Sequence, residues 1–438
     1  MKNFRPSGCR DREESLLLLA VSRAASSDER MEEGLRATAA NIADESFRWK
    51  SYIGLARRHA SLAAAYRFVA DAGLEPRAPA EILQEMKLGY ALAQATYIKN
   101  LIELRELAEG LEANGIQALV IKGIPLAARL YTDPAVRVSK DVDLLCRMAD
   151  LPRAERLLAS HGYSLYDGRL GREGYRRHHY HLVYSRGTSR ESVVEVHWNV
   201  RHPGKGALID TEPLFRHAST ADIAGARVSA LDDPRSLWQL AVNLSYNGFL
   251  EARDLGDLRR LALRLADEDW EAIAAFSRKT QTYNEFSAAL AVAERAFGPF
   301  IPEAHRSGSR PTSGVRAMLL PMYTARAVAW RWVPFKGAQS LSVGLFMRQG
   351  LAKKLGYLYR IVVPDDASLA EVRSGLAPPK TGIRRLNFHA NGVWVVLKVL
   401  AVSFVLGPLA RIASPASGWN DPERHVDLSA TRFPQHSR

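Results

Sequence analysis

The sequence predicts a mixed α+β fold, a small strand-containing core flanked by N- and C-terminal helical regions. Three observations carry that expectation. Apolar residues recur at steps of three and four up to residue 114. Short strands then alternate with helices between 116 and about 200, and helical spacing returns from about 206 to 310. The regions expected are 1–98 (helical), 99–205 (core), 206–310 (helical) and 311–438 (basic and aromatic, with an apolar helix and a disordered tail).

In order, residues 1 to about 30 are expected to fray. Phe47, Trp49, Tyr52, Ile53 and Leu55 open an aromatic-rich helix ending near Gly73, ahead of Pro76 and Pro79. Ile82, Met86, Tyr90, Ala93, Tyr97, Leu101, Leu104, Ala108 and Leu111 mark one face of a long helix, with Gly115 where a C-terminal cap belongs. Leu151–His161 reads as a helix closed by Gly162, and Tyr163–Tyr166 as a short strand. The Gly- and Arg-rich segment 167–177 reads as a loop. His181–Tyr184 and Ser192–Trp198 form an expected antiparallel pair. The helical spans 237–246, 255–265 and 270 onward follow, and RSGSRPTSG at 306–314 reads as a linker.

Bulk properties narrow the function classes. With 47% hydrophobic and 24% charged residues the chain is an ordinary globular protein. Its net charge of +13 admits an anionic partner: nucleotide, nucleic acid or an acidic membrane surface. A generally basic proteome gives the same balance. Cys9 and Cys146 are far apart and lack metal-ligand spacing, which argues against a disulfide framework and a zinc-finger type of site. Acidic residues precede the first apolar run and no cleavage site follows it, so a cytoplasmic location is expected. Val393–Leu406 is apolar but carries Lys398 and is shorter than the ~20 residues a spanning helix needs. It reads as a buried or membrane-surface helix, which makes the inner-membrane periphery a second candidate location. The basic, aromatic stretch 326–360 could serve RNA or an anionic membrane, though packing as a helical cap on the core is the preferred reading.

The chemistry concentrates in Ala118–Leu145. Leu119, Val120 and Ile121 form a short apolar strand, broken by Lys122-Gly123 where a helix starts. Free backbone N–H groups and an ammonium therefore meet at one spot. Asp141 and Asp143, two apart on a second strand, project from one face. Such carboxylates repel unless a cation sits between them. Asp267-Glu268-Asp269 repeats the Asp-x-Asp pattern but precedes Trp270 at a helix start, where acidic residues serve the helix. Glu195 and His197 share a face of the 192–198 strand, and a strand returning beside the Asp strand would bring Glu195 to the same metal.

Lys122, Gly123, Leu130, Tyr131, Arg137, Asp141, Asp143, Leu144 and Leu145, followed by Glu195, His197 and Trp198 in a VEVHW strand, resemble the signature of an uncharacterised bacterial nucleotidyltransferase family. That family is assigned to the DNA polymerase β-like superfamily. The resemblance spans roughly residues 35–370, with its specific motifs between 120 and 198. It implies a polymerase β-like nucleotidyltransferase core, with Asp141 and Asp143 holding Mg²⁺ against the triphosphate of an NTP, ATP first among candidates. Glu195 would be the third carboxylate, as metal ligand or proton acceptor. Gly123 would let backbone approach phosphate, and Lys122 and Arg137 would offset triphosphate charge. The superfamily's Gly-Ser or Gly-Gly turn is replaced here by Lys-Gly-Ile-Pro.

For the other residues the expectations are plainer. Arg137 could equally anchor a loop through Asp neighbours; His197 reads as a packed histidine beside Trp198 or, alternatively, as a metal-site or acceptor contact beside Glu195. His178, His179 and His181 read as cleft-lining or exposed. Asn243, Asn247, Arg253, Asp254 and Asp257 resemble a family segment that usually includes a histidine, absent here; Asp257 reads as an exposed helix residue, with support of the metal site or acceptor pocket as the alternative. The implied reaction moves a nucleoside monophosphate, or a related phosphoryl group, to an unidentified acceptor (small molecule, peptide or protein) with release of pyrophosphate. The rival readings are an inactive nucleotide-binding or regulatory protein and a peripheral RNA- or membrane-binding protein.

Overall fold

The computed structural model describes residues 12–22, 29–166, 179–187, 192–202, 208–249, 251–309 and 351–362. It also describes positions 174, 176, 320, 323, 344–348, 393–394 and 396–398. His178, most of the loop 167–177 and most of the 326–360 and 393–406 stretches lie outside the described residues. The fold is the expected mixture, a seven-stranded mixed sheet with flanking helices.

Its centre is β1 (Ala118–Ile121) beside β2 (Val142–Cys146), paired antiparallel with Ile121 opposite Asp143. Between them lie α6 (Gly123–Leu130) and a 3₁₀ turn at Pro134–Arg137. β2 pairs in parallel with β5 (Ser192–His197), and β5 pairs antiparallel with β4 (His181–Arg186), as expected for the returning strand pair. β3 (Ser164–Leu165) closes that edge. Parallel strands need a long crossover; here α7 (Leu151–Ser160), β3 and β4 provide it.

The other edge corrects the expectation that helices resume at 206. Two strands, β6 (Ala218–Ile223) and β7 (Ala226–Leu231), form a hairpin, and β7 joins β1 in parallel. The sheet order is β3-β4-β5-β2-β1-β7-β6. Gly225, at φ +83°, supplies the left-handed turn residue.

Strand alternation divides the core in two. Val120, Val142, Leu144, Val194 and Val196 pack with Leu104, Leu107 and Leu111 of α5 (Ala80–Ala113) and with α7. Leu119, Ile121 and Leu145 face the opposite side and join the larger helical core. That core combines α3 (Trp49–Arg58) and α4 (Leu62–Asp71) with α9 (Asp233–Tyr246), α10 (Ala252–Ala262), α11 (Asp267–Lys279) and α12 (Tyr283–Phe297). N-terminal and post-sheet helices thus share one interior, and α5 runs unbroken through residue 98.

Two helical expectations change. The 47–73 stretch is two helices, α3 and α4, because the chain turns at His59–Ser61, with Ala60 at φ +50° and His59 Nδ1 accepting from Ala252 N (3.1 Å). Residues 12–22, expected to fray, form α1, whose Leu16, Leu17 and Leu18 are fully buried. α1 lies so close to α10 that a Cβ at Gly256 would collide with the Val21 carbonyl. α2 (Glu29–Ile42) and the short α8 (Glu212–Arg216) are the other α-helices described ahead of the sheet's last strand. α13 (Glu303–Ser309) covers the start of the expected linker, and α14 (Leu351–Val362) follows the 310–350 region. No helix among the described residues is long and apolar enough to cross a membrane.

One face of α10 clamps the loop that leads into β2. Arg137 Nε donates to Asp257 Oδ2 (2.6 Å), and its other end reaches Asp254 Oδ1 (3.4 Å). Tyr131 also donates to Asp257, and Arg253 donates to the Val138 carbonyl (3.0 Å). Asp257 is wholly buried, which corrects its reading as an exposed residue. Removing one member of a buried pair leaves the other uncompensated, at a cost of about 3–5 kcal/mol. D257A should therefore lose stability of that order in urea unfolding, whereas D267N, at an exposed helix start, should lose less than about 1 kcal/mol.

Candidate active site

Asp141, Asp143, Glu195 and Lys122 meet where β2 and β5 face the start of α6. Asp143 and Glu195 are direct partners in the parallel β2–β5 register, and Asp141 precedes Asp143 by two, so all three acids leave the same side of the sheet. Lys122 Nζ donates to Asp143 Oδ1 (2.7 Å) and lies 3.9 Å from Glu195 Oε2. His197, also on this face, places Nε2 at 2.9 Å from Asp143 Oδ1 and 3.1 Å from Glu195 Oε2. It is fully buried. The expectation of a merely packed histidine is corrected: its ring belongs to the acidic cluster.

Backbone geometry explains how Lys122 gets there. It holds φ +57°, a left-handed conformation that costs a non-glycine residue about 1–3 kcal/mol. Lysine thus occupies the backbone position for which glycine is suited, and gains a side chain aimed at the acids. Gly123 follows as the first residue of α6, and Pro125 has no N–H, so Gly123 and Ile124 supply the helix's forward donors. A Cβ on Gly123 would sit 2.5 Å from Ser139 Cβ. Its lack of a side chain admits Ser139, whose hydroxyl donates to Asp141 Oδ1 (2.9 Å). Asn100 of α5 holds the Ser139 carbonyl (2.7 Å). Sequence reasoning passed over Ser139, though a serine two residues ahead of an Asp is a recognisable local hydrogen-bonding pattern.

Arg137 is not part of this group. Its guanidinium is buried and engaged by Asp257 and Asp254. The expectation that it offsets triphosphate charge gives way to the loop-anchoring role, since carboxylates of this chain already balance it. His179 and His181 are both buried rather than exposed, and His181 stands opposite His197 in the β4–β5 register.

The cluster's electrostatics are uneven. Burial, and then the charges of Asp143 and Glu195, push the Asp141 carboxyl up to about 6. Burial alone would also raise Glu195, but the His197 hydrogen bond and the Lys122 charge outweigh it and hold Glu195 well below the usual carboxylate range. For Lys122, burial opposes the charge, yet Asp143 and Glu195 prevail and lift the ammonium above the ordinary lysine range. Negative charge around Asp141 thus exceeds what Lys122 balances. A bound cation would offset that surplus, and carboxylate oxygens are donors of the kind a hard cation such as Mg²⁺ takes.

Raising the Asp141 value from 3.8 to about 6 means that the folded protein binds more protons than the unfolded chain between those pH values. The contribution of Asp141 to stability therefore falls as pH rises through that window. In EDTA, D141N should melt at a higher temperature than the wild type at pH 7.5, with the gain shrinking toward pH 4. A thermal shift series over pH checks this, and saturating Mg²⁺ should narrow the difference at pH 7.5.

A family profile described as uncharacterised nucleotidyltransferase matches residues 45–298, more than half of the chain. No curated protein and no solved structure matches it. The matched span encloses the Lys-Gly turn, the Asp pair and the Glu195 strand. The chain therefore belongs to the uncharacterised nucleotidyltransferase family.

Proposed function

We propose that this protein is a metal-dependent nucleotidyltransferase that moves a nucleoside monophosphate from an NTP, ATP first among candidates, to an unidentified acceptor and releases pyrophosphate. The observation that carries this reading is the convergence of Asp141, Asp143 and Glu195 on one face, beside the Lys122 ammonium and the start of α6.

Asp141, Asp143 and Glu195 would hold Mg²⁺, which when bound polarises phosphoryl oxygens and offsets the charge of the leaving pyrophosphate. Lys122 gives the cluster a fixed positive charge at the helix start, positioned for the triphosphate. Gly123 and Ile124 offer backbone N–H groups there. The low value of Glu195 keeps its carboxylate ionised, which suits a ligand better than a proton acceptor. Asp141, raised to about 6 by burial and its acidic neighbours, gives up its proton when it binds the cation. In this reading the α10 clamp on residues 131–138 acts indirectly, by fixing the loop that carries Ser139 and Asp141. A cytoplasmic site of action, with the inner-membrane periphery as the alternative, belongs to the same proposal.

Pyrophosphate release from labelled NTPs, with cell extract as the acceptor source, tests the reading. D143N and E195Q should each lower the rate about 100-fold or more, the scale for losing one charge-stabilising group. An unchanged rate in D143N would leave a binding or regulatory role instead. K122M should slow release comparably while the protein still folds, because removing the side chain leaves the backbone turn in place.

A further inference from the structure

Two imidazoles flank the acidic cluster, and the transfer reading places neither on the Mg²⁺ or the nucleotide. In the antiparallel β4–β5 pair His181 stands opposite His197, so both side chains leave one face, the face of Glu195. The two rings lie 4.8 Å apart between centroids. One donor atom each from His181, Glu195 and His197 can be chosen so that all three lie within 4.8 Å of one another. Both histidines are buried.

We propose that His181, Glu195 and His197 form a binding site for a divalent transition metal, taken in the order Zn²⁺ over Mn²⁺ and with Mg²⁺ excluded. Two imidazoles and one carboxylate form a donor set that suits Zn²⁺, Mn²⁺ and Fe²⁺, whereas Mg²⁺ demands oxygen. Metal–donor bonds of about 2.0–2.2 Å require the three groups to draw in by roughly an ångström, within the reach of side-chain rotation. Lys122 Nζ lies 3.3 Å from His197 Nε2 and 3.9 Å from Glu195 Oε2, so the ion takes the place of the ammonium. This inference goes beyond nucleotidyl transfer, since it requires neither nucleotide nor acceptor.

The test is calorimetric titration of the chelator-stripped, full-length protein with Zn²⁺ in the absence of nucleotide. The wild type should take one Zn²⁺ per chain. H181A and H181Q, each checked for folding by circular dichroism, should bind it at least 10-fold more weakly. D141N should bind Zn²⁺ as the wild type does, and K122M should bind it more tightly because a competing cation is gone. Zn²⁺ affinity in a folded H181A or H181Q equal to that of the wild type would overturn the site, as would a wild type without stoichiometric Zn²⁺. Neither result bears on pyrophosphate release, so the failure of one reading is distinguishable from the failure of the other.

Discussion

Parallel pairing of β2 with β5 sets Asp143 directly beside Glu195, and the charges at this end of the sheet are arranged around that negative pair. Like charges on neighbouring strands destabilise a sheet. Here the Lys122 ammonium and the His197 ring lie on the same Asp143 oxygen, at 2.7 and 2.9 Å. Asp141, one step along the strand, is left with the surplus negative charge. The protein thus keeps a costly concentration of charge, together with a strained Lys122 backbone, at one place. Strain and unbalanced charge of this kind gather at functional sites because the rest of the fold tolerates them.

That tolerance comes from the layer behind the cluster. The loop from Tyr131 to Val138 buries Ala135 and Val136, and polar ties fix it further: Arg137 to Asp257, Arg253 to the Val138 carbonyl, and Asn100 to the Ser139 carbonyl just beyond it. Positions 253, 254, 257 and 260 recur at helical spacing, so four of the five charged residues of α10 lie toward this loop, Arg259 being the exception. Arg260 stacks over Tyr131 and donates to the Val21 carbonyl, which links the N-terminal helix to the same clamp. The helical core therefore acts on the sheet's chemistry through a short chain of buried charge pairs.

Much of the site was legible in the sequence because strands have a period of two. Spacing alone put Asp141 with Asp143 and Glu195 with His197, and the apolar residues between them marked the strands as buried. Register was not legible. Nothing local in HLVYSR says that His181 will stand opposite His197, so the second imidazole stayed hidden. Arg137 stayed between two readings for a related reason. Its partners lie some 120 positions away on α10, and a charged residue near a phosphate-binding pattern looks the same whether its counter-charge is a ligand or a buried Asp. The hairpin at 218–231 was missed because its outer strand carries exposed polar residues such as Thr220, so its apolar alternation is weak. The SLLLLAV run of α1 was visible, but a run that short does not reveal that α10 will bury it.

The most direct test of the account is a crystal structure of the wild-type protein with Mg²⁺ and a non-hydrolysable ATP analogue. The account predicts a cation held by Asp141, Asp143 and Glu195, phosphates at the start of α6, and the Lys122 ammonium moved from Asp143 onto a phosphate oxygen. An intact Lys122–Asp143 pair with the analogue bound elsewhere, and no cation among the three carboxylates, would contradict it.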